Sequence, residues 1–462
     1  MRLVTGPGGV GKTRLSVELC GRLEAQGWRC ERPADGAEAT GLEAVRRVHR
    51  GPVLLVVDYA ETRAGLGALL RAVAADAGPV RVLLLARAAG EWWDRLPAAD
   101  PGVRELLAAA GDGDALPVPV TVNQSDDEIV AAAAASFARE LGVTPPARVE
   151  VQPGAGPARV LDLHAAALVA VLRPAGTGLP QAVRVADVLD ELLGHEARFW
   201  QGSAARLGLA GGPGGMRARE LRRVVACGAL LGAAGEQEAV ALMGRAGVAG
   251  PGRAAAGWLR DLYPPDGDGG WLGSLAPDRL AERLVVAELG SDPELAARCL
   301  TGLDPRQAVR AVTLLGRAAA DEEDAGALLE RLLPLVEQVV DGLPADLGLL
   351  TAVSDAIPYP SLALAGADLA VTRRILPLVP PGQPALRARW LSWHGTALAQ
   401  TGRPGEALPA EQEAVAIRRE LAGAYPDRYR PDLARSLRVL AVVLDQLERT
   451  AEADAARAEA GT

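Results

Sequence analysis

The residues most suited to chemistry form an eight-residue segment near the start of the chain. It reads Gly-Pro-Gly-Gly-Val-Gly-Lys-Thr, and its Lys12 is the single lysine among the 49 basic residues of the sequence. Glycines allow a backbone to curl until several N–H groups point at one anion. The ammonium of Lys12 is a compact cation, and the hydroxyl of Thr13 is a suitable Mg²⁺ ligand. The segment therefore predicts a site for a phosphate chain with its metal ion.

The sequence on either side of this segment predicts the elements that would position it. Residues 2–5 favour a short strand, and residues 13–26 favour a helix with leucines at helical spacing. A strand, the pattern G-x-x-x-x-G-K-[ST] and a helix together make a P-loop, in which the helix N-terminus adds a positive dipole. The candidate nucleotide-binding residues are Gly6, Pro7, Gly8, Gly9, Val10, Gly11, Lys12 and Thr13.

Two further apolar segments end in charged residues that could complete the site. Residues 52–57 are typical of a strand covered on both faces, and Asp58 follows them. At the carboxyl end of such a strand Asp58 is expected to hold Mg²⁺, with helix capping as the alternative. Arg87 follows the strand predicted at residues 80–86, and either contacts a terminal phosphate or is a solvated strand-end arginine. A last core strand is predicted at residues 115–123.

Glu61 and Tyr59 bear on whether a bound nucleotide is hydrolysed. Glu61 either orients the attacking water or is a first-turn helix glutamate favoured by the helix dipole. Tyr59 stands directly after Asp58, where a second acid is usual, and this predicts slow hydrolysis. The candidate catalytic residues are Lys12, Asp58, Glu61 and Arg87, and the candidate Mg²⁺ ligands are Thr13 and Asp58.

Composition and charge exclude several other classes of protein. Hydrophobic residues make up 49% and charged residues 23%, which is the balance of a folded chain. The net charge of −9 argues against a broad nucleic-acid surface. No uncharged apolar run approaches the ~18 residues of a membrane helix, and no apolar signal core is present, so a cytoplasmic protein without membrane partners is expected. Four scattered cysteines predict neither a zinc site nor disulfides.

The remaining sequence predicts several domains, most of them helical. An α/β core with a parallel sheet and flanking helices is expected first, and a capping box of Ser125 and Glu128 opens the helix that follows it. At an offset of 46 residues Leu398 matches Leu444 and Ala407 matches Ala453, which predicts stacked helix pairs of an α-solenoid. The predicted domains are the α/β core (1–124), an all-α domain (125–207), a winged-helix-like domain (216–290), a helical region of degenerate repeats (291–385) and tetratricopeptide-like repeats (386–462).

The order of these motifs resembles the STAND class of signalling P-loop NTPases. The P-loop, Val-Val-Asp-Tyr-Ala-Glu-Thr-Arg, Leu-Leu-Leu-Ala-Arg and a helical tail are similar to actinobacterial members with tetratricopeptide repeats. The P-loop segment, extended through Arg14, also resembles the NB-ARC nucleotide-binding module. The resemblance implies ATP or ADP with Mg²⁺ as cofactors and a sensor role for Arg87. It further implies a closed ADP form, ATP-dependent homo-oligomerisation and protein partners held by the repeats.

The resemblance is incomplete at several places. Gly156-Pro157 matches only in part a Gly-x-Pro element that lies near the nucleotide in such proteins. A His-Asp element of such proteins contacts the nucleotide, but here Pro277 replaces the histidine. Asp278 either keeps the nucleotide contact or, as we expect, acts as a helix N-cap. A Gly-Arg-Glu segment that helps to hold adenine has no counterpart before Gly6. We therefore expect either a truncated start or loosely held adenine.

Three functions remain open at this point. The leading one is an ATP-binding regulatory switch with slow ATPase activity. A transcriptional regulator or scaffold with a weak nucleotide site is the second, and a P-loop kinase or fast ATPase is the third. Net charge disfavours DNA as a partner, although four arginines form a local basic cluster: Arg217, Arg219, Arg222 and Arg223.

Overall fold

The chain folds into two compact units. The first comprises Met1–Leu295, and the second contains Ala296–Ala320 and Ala327–Thr462. The computed structural model describes residues 1–33, 37–63, 65–76, 78–87, 89, 92–93, 96, 101–108, 116–117, 125–152, 158–173, 181–212, 214–248, 250, 252–265, 270–321, 327, 330–357 and 362–461. No helix within these residues has the length and apolar character needed to cross a membrane.

The first unit begins with a five-stranded parallel sheet in the order β2-β3-β4-β1-β5. Its strands are β1 (Arg2–Thr5), β2 (Arg29–Glu31), β3 (Val53–Val57), β4 (Val80–Ala86) and β5 (Leu116–Pro117). Four helices belong to the same part of the chain: α1 (Lys12–Glu24), α2 (Glu38–Val48), α3 (Leu66–Ala75) and α4 (Pro101–Ala108). Of the predicted last strand, only residues 116–117 are described, and residues 118–123 lie outside the described residues.

Burial on both faces explains why the central strands are continuous apolar runs. Val53, Leu55 and Val57 pack in a cluster with α2 and α3, whereas Leu54 and Val56 pack in a cluster with α1. A parallel sheet needs such cover on both faces, because its strands are joined by helical crossovers. The expected α/β core with flanking helices is therefore present, and its strands end together at the edge where Asp58 and Arg87 follow.

A second layer of the first unit differs from the all-α domain expected at 125–207. Its helices are α5 (Asp126–Leu141), α6 (Val160–Leu172) and α7 (Val185–Arg206). A two-stranded parallel sheet, β6 (Val149–Gln152) with β7 (Gln181–Arg184), accompanies them, so the expectation of helices alone is wrong. Each strand has four residues, too few for a period-two pattern to stand out from the helical segments around it. The predicted capping box of Ser125 and Glu128 is confirmed at the start of α5.

The segment expected to be winged-helix-like forms a third layer of the first unit. It consists of α8 (Ala218–Leu231), α9 (Glu236–Arg245), α10 (Gly252–Leu262) and α11 (Asp278–Gly290). Among the described residues of 217–290 there is no strand, and residues 266–269 of the predicted wing lie outside the described residues. The winged-helix assignment therefore stays a prediction. Helix α11 packs on α8, and the Arg222–Glu288 pair (2.6 Å) joins the two.

The second unit is helical throughout its described residues. Helix α12 (Pro293–Leu300) spans the division between the units, and α13 (Pro305–Asp321), α14 (Leu333–Gly342), α15 (Leu347–Ala356) and α16 (Ala365–Ile375) follow. The last four helices are α17 (Pro384–Gln400), α18 (Pro404–Ala424), α19 (Pro426–Gln446) and α20 (Thr450–Ala460). Leu398 and Leu444 are both buried, as are Ala407 and Ala453, so the 46-residue offset relates one helix pair to the next.

Two carboxyl groups are buried between helices of the second unit. Asp368 of α16 accepts a hydrogen bond from Trp393 Nε1 (2.8 Å), and Glu411 of α18 accepts one from Ser392 Oγ (2.9 Å). A Cβ at Gly395 would lie 2.5 Å from Glu411 Oε1, so the glycine makes room for this acid. Burial raises the pKa of Glu411 to about 8 and that of Asp368 to about 7. Both acids are therefore largely protonated in the folded chain below neutral pH.

Replacing Glu411 with glutamine should make the stability of the second unit less dependent on pH. The folded pKa of Glu411 lies above its unfolded value, so the stability that it contributes is present at low pH and is lost as pH rises through about 8. Between its unfolded pKa of about 4.5 and its folded pKa of about 8, Glu411 should lower the free energy of unfolding by up to about 1.4 kcal/mol per pH unit as pH rises. Hydrogen exchange in α17 and α18, corrected for intrinsic rates, measures this loss in the full chain.

The matched control is Glu413→Gln on the same helix. Glu413 is exposed and paired with Arg387 (2.7 Å), so its replacement should leave the pH dependence unchanged. An equal pH dependence in wild type and Glu411→Gln would contradict the prediction.

Candidate functional site

The glycine-rich loop, Gly6–Thr13, connects β1 to α1 at the carboxyl edge of the sheet. The Gly6 N–H donates to the carbonyls of Ala86 and Arg87 (3.3 Å each), which anchors the start of the loop to the end of β4. Gly9 and Gly11 have φ angles of +83° and +98°, where L side chains are strained. Lys12 is the first residue of α1, so the loop opens directly into a helix N-terminus. This arrangement suits an anion, as the sequence predicts.

The Lys12 ammonium is folded back over the loop. Its Nζ donates to the carbonyl of Gly6 (2.6 Å) and to that of Pro7 (3.0 Å). Arg14, which the family resemblance adds to the nucleotide-binding segment, has a side chain that is 79% exposed and lies 3.9 Å from Glu18. The loop therefore holds the lysine closely, while Arg14 faces solvent.

The two candidate Mg²⁺ ligands meet in the folded chain. Thr13 Oγ1 donates to Asp58 Oδ2 at 2.7 Å, although the residues are 45 positions apart. The other carboxylate oxygen, Oδ1, accepts from the Tyr59 N–H (3.0 Å). A hydroxyl with one carboxylate is a donor set that fits Mg²⁺, which commonly keeps waters and substrate phosphates as its other ligands. The described part of the chain contains no group of three or more His, Cys, Asp or Glu residues that could hold a metal ion by itself.

Glu61 lies beside the end of β4 rather than in the first turn of an α-helix. It belongs to a short 3₁₀ turn, Ala60–Thr62, and its Oε1 accepts from the Arg87 backbone N–H (3.1 Å). The sequence offered water orientation or a helix-dipole role for Glu61, and neither anticipated this contact. The structure thus brings together Glu61 and Arg87, the two candidate catalytic residues at the tips of β3 and β4.

The Arg87 side chain is buried against the third layer. Its guanidinium donates to Glu282 Oε1 of α11 at 2.7 Å, and the two side chains are 11% and 2% exposed. The alternative of a solvated strand-end arginine is therefore wrong. Sequence reasoning missed Glu282 because its partner lies 195 residues away, and no local pattern marks the pair.

The first turn of α11 makes two more contacts with the earlier layers. The Tyr59 hydroxyl donates to the Asp278 carboxylate, and Arg279 pairs with Asp162 of α6. The N-cap of α11 is Pro277, so the expectation that Asp278 caps this helix is wrong. A Cβ at Gly9 would lie 3.7 Å from the Arg279 side chain, which places this turn beside the glycine-rich loop.

The second layer donates hydrogen bonds to backbone carbonyls of the loop. Arg159 Nη1 donates to the Gly8 carbonyl (3.1 Å), and the Leu161 N–H donates to the Gly9 carbonyl (3.0 Å). Both donors lie at the start of α6, far from the loop in sequence. The local sequence does not identify the Leu161 contact, because any residue but proline offers a backbone N–H. The family resemblance placed only the Gly156-Pro157 element before this helix near the nucleotide, and that element lies outside the described residues.

The basic cluster of the third layer is paired with acids. Arg219 and Arg223 both contact Asp292, and Arg222 contacts Glu288. Arg217 pairs with Glu220 within the first turn of α8. Since each guanidinium has a carboxylate partner, the cluster offers little uncompensated charge to DNA phosphates.

Comparison with protein-family models, curated proteins and solved structures found no match to this chain. The functional interpretation therefore depends on the residues and contacts of the site itself.

An alanine at Gly9 should destabilise the first unit more than one at Gly11. Both glycines have a left-handed backbone, which costs an L residue about 1–2 kcal/mol. Only at Gly9 does the new Cβ meet another group, 2.9 Å from the Leu161 Cβ, and such overpacking adds about 1–3 kcal/mol. Urea unfolding of each variant measures the difference. Equal losses for Gly9→Ala and Gly11→Ala would show that α6 does not restrain the loop.

Proposed function

We propose that the protein is an ATP-binding regulatory NTPase switch that couples its nucleotide state to protein partners and to oligomerisation. The observation that carries the proposal is the 2.7 Å hydrogen bond between Thr13 and Asp58. It joins the end of a P-loop motif to an acid at the end of a neighbouring buried strand. This is the pair of groups that a Mg²⁺–nucleotide site requires.

The loop and Asp58 would divide the contacts with the nucleotide between them in this proposal. ATP with Mg²⁺, when bound, supplies a transferable terminal phosphate and a divalent charge. The backbone N–H groups of the loop and the α1 N-terminus would bind the phosphates. Lys12 would exchange its bonds with the Gly6 and Pro7 carbonyls for phosphate oxygens. Thr13 and Asp58 would hold the metal ion.

The proposed hydrolysis is slow. The Tyr59 hydroxyl is engaged with Asp278, and Glu61 Oε1 accepts from the backbone of Arg87. Neither arrangement supplies a second acid beside Asp58 to activate water. These contacts favour a timer or switch over a kinase or a fast ATPase.

The contacts of the loop with α6 and α11 support the switching part of the proposal. Peptide groups of the loop are the expected phosphate ligands, and the carbonyls of Gly8 and Gly9 are bonded to the start of α6. A rearranged loop would therefore alter the packing of α6, which is tied to α11 through the Asp162–Arg279 pair. Ordering and release of segments by phosphate contacts is a common basis of nucleotide switches.

The second unit suits the partner-binding part of the proposal. Its related helix pairs, α17 with α18 and α19 with α20, follow one another along the chain. Stacked helix pairs of this kind present extended surfaces to other proteins. The regulator alternative has less support, because the four clustered arginines of α8 and its N-cap are each paired with a carboxylate.

Replacing Lys12 should weaken nucleotide binding even when the positive charge is kept. Lys12→Ala and Lys12→Arg should each weaken Mg²⁺–ADP and Mg²⁺–ATP binding about tenfold or more, since a hydrogen bond to a charged group contributes about 1.5–3 kcal/mol. Arginine fails because its wide planar fork does not fit where a compact ammonium is needed. Isothermal titration calorimetry measures the affinities.

Arg14→Ala is the matched control, because Arg14 is the next basic residue and is exposed. It should change either affinity by less than about threefold. The proposal fails if wild type binds neither nucleotide, or if Lys12→Ala binds as tightly as wild type.

Replacing Asp58 should remove the contribution of Mg²⁺ to binding. In Asp58→Asn the amide keeps a hydrogen bond with Thr13 but is a poorer metal ligand, so EDTA should no longer weaken ATP binding. Titrations with and without EDTA compare the variant with wild type. An undiminished Mg²⁺ effect in Asp58→Asn would exclude Asp58 as a metal ligand.

A further inference from the structure

The Arg87–Glu282 ion pair is a deeply buried contact between the end of β4 and helix α11 of the third layer. The two side chains are 11% and 2% exposed, and the charged atoms lie 2.7 Å apart. Removing one partner from a buried pair leaves an uncompensated charge, which is strongly unfavourable. Separating Arg87 from Glu282 therefore carries a free-energy cost, which a new anion beside the guanidinium would offset.

The backbone of Arg87 lies beside the start of the glycine-rich loop. Its carbonyl accepts from the Gly6 N–H (3.3 Å), and its own N–H donates to Glu61 (3.1 Å). The backbone of Arg87 is thus fixed beside the proposed phosphate site, while its flexible side chain reaches α11. A guanidinium binds carboxylate and phosphate through the same planar fork of N–H donors. Glu282 and a terminal phosphate are therefore alternative partners for one group.

We propose that Glu282 is a specificity-determining residue that sets the preference of the site for a nucleoside diphosphate over a triphosphate. This inference rests on the proposed nucleotide site. A diphosphate leaves the Arg87–Glu282 pair intact. For a triphosphate, the terminal phosphate binds Arg87 by drawing its guanidinium away from Glu282. The free-energy cost of breaking the pair therefore weakens triphosphate binding and leaves diphosphate binding unchanged.

Other contacts of α11 make this role separable from simple packing. Asp278 is bonded to Tyr59, Arg279 to Asp162, and Arg283 to Asp190 (2.6 Å). These contacts hold the first turns of the helix without Glu282. A neutral, isosteric glutamine at position 282 should therefore keep the helix in place while weakening its hold on Arg87.

The test compares Mg²⁺–ADP with a non-hydrolysable Mg²⁺–ATP analogue by calorimetry on the full chain. In Glu282→Gln the ratio of the ATP-analogue Kd to the ADP Kd should fall about fivefold or more, the usual lower range of coupling between sites. The matched control is Glu288→Gln on the same helix, whose carboxylate pairs with Arg222 away from the loop. Its ratio should equal that of wild type.

A double variant tests whether the effect passes through Arg87. Adding Arg87→Gln to Glu282→Gln should abolish the gain in ATP-analogue affinity, because both substitutions act on one contact.

The possible outcomes separate this inference from the proposed function. An unchanged ratio in Glu282→Gln, or an equal change in Glu288→Gln, would overturn the inference while nucleotide binding stands. A wild type that binds neither nucleotide would overturn both. If Glu282→Gln does not fold, Glu282→Asp serves in its place, since the shorter side chain weakens the contact and should lower the ratio in the same direction. An unchanged ratio in that variant would also overturn the inference.

Discussion

The hydrogen bond between Thr13 and Asp58 is the contact on which the rest of the site depends. It joins the loop after β1 to the end of β3, two strands separated in the sheet by β4. Parallel strands end at one edge, so the groups that follow them converge without any long-range recognition. The loop, the acid and the end of β4 are therefore placed by the sheet itself. Further layers need only contact this edge to influence the site.

The second and third layers of the first unit reach this edge by different physical means. Helix α6 uses hydrogen bonds to the carbonyls of Gly8 and Gly9, which depend on the conformation of the loop. Helix α11 uses charged and hydroxyl groups, including the buried Arg87–Glu282 pair. In the proposed switch, the first kind of contact would respond to backbone geometry and the second to a competing anion. A bound nucleotide would then have two routes for altering how the layers pack.

The second unit is stabilised differently from the sheet. The central strands of the sheet are apolar on both faces, whereas the helix interfaces of the second unit contain Asp368 and Glu411 among apolar side chains. Burial raises the pKa of both acids and favours their protonated forms, and for Glu411 it outweighs the opposing effects of Ser392 and Arg418. The register of neighbouring helices is thereby linked to specific hydrogen bonds, with Ser392 and Trp393 as donors.

The sequence alone determined the elements whose signals are local. Continuous apolar runs predicted β3 and β4, the glycine spacing predicted the loop before α1, and the 46-residue offset predicted related helix pairs. The short strands β6 and β7 were not predicted, because four residues are too few to show a period-two pattern. Tertiary structure alone decided that Arg87 is buried against Glu282, that Asp278 contacts Tyr59 and that α6 holds the loop. Such contacts join residues more than 100 positions apart, and only the packing of the layers brings them within hydrogen-bonding distance.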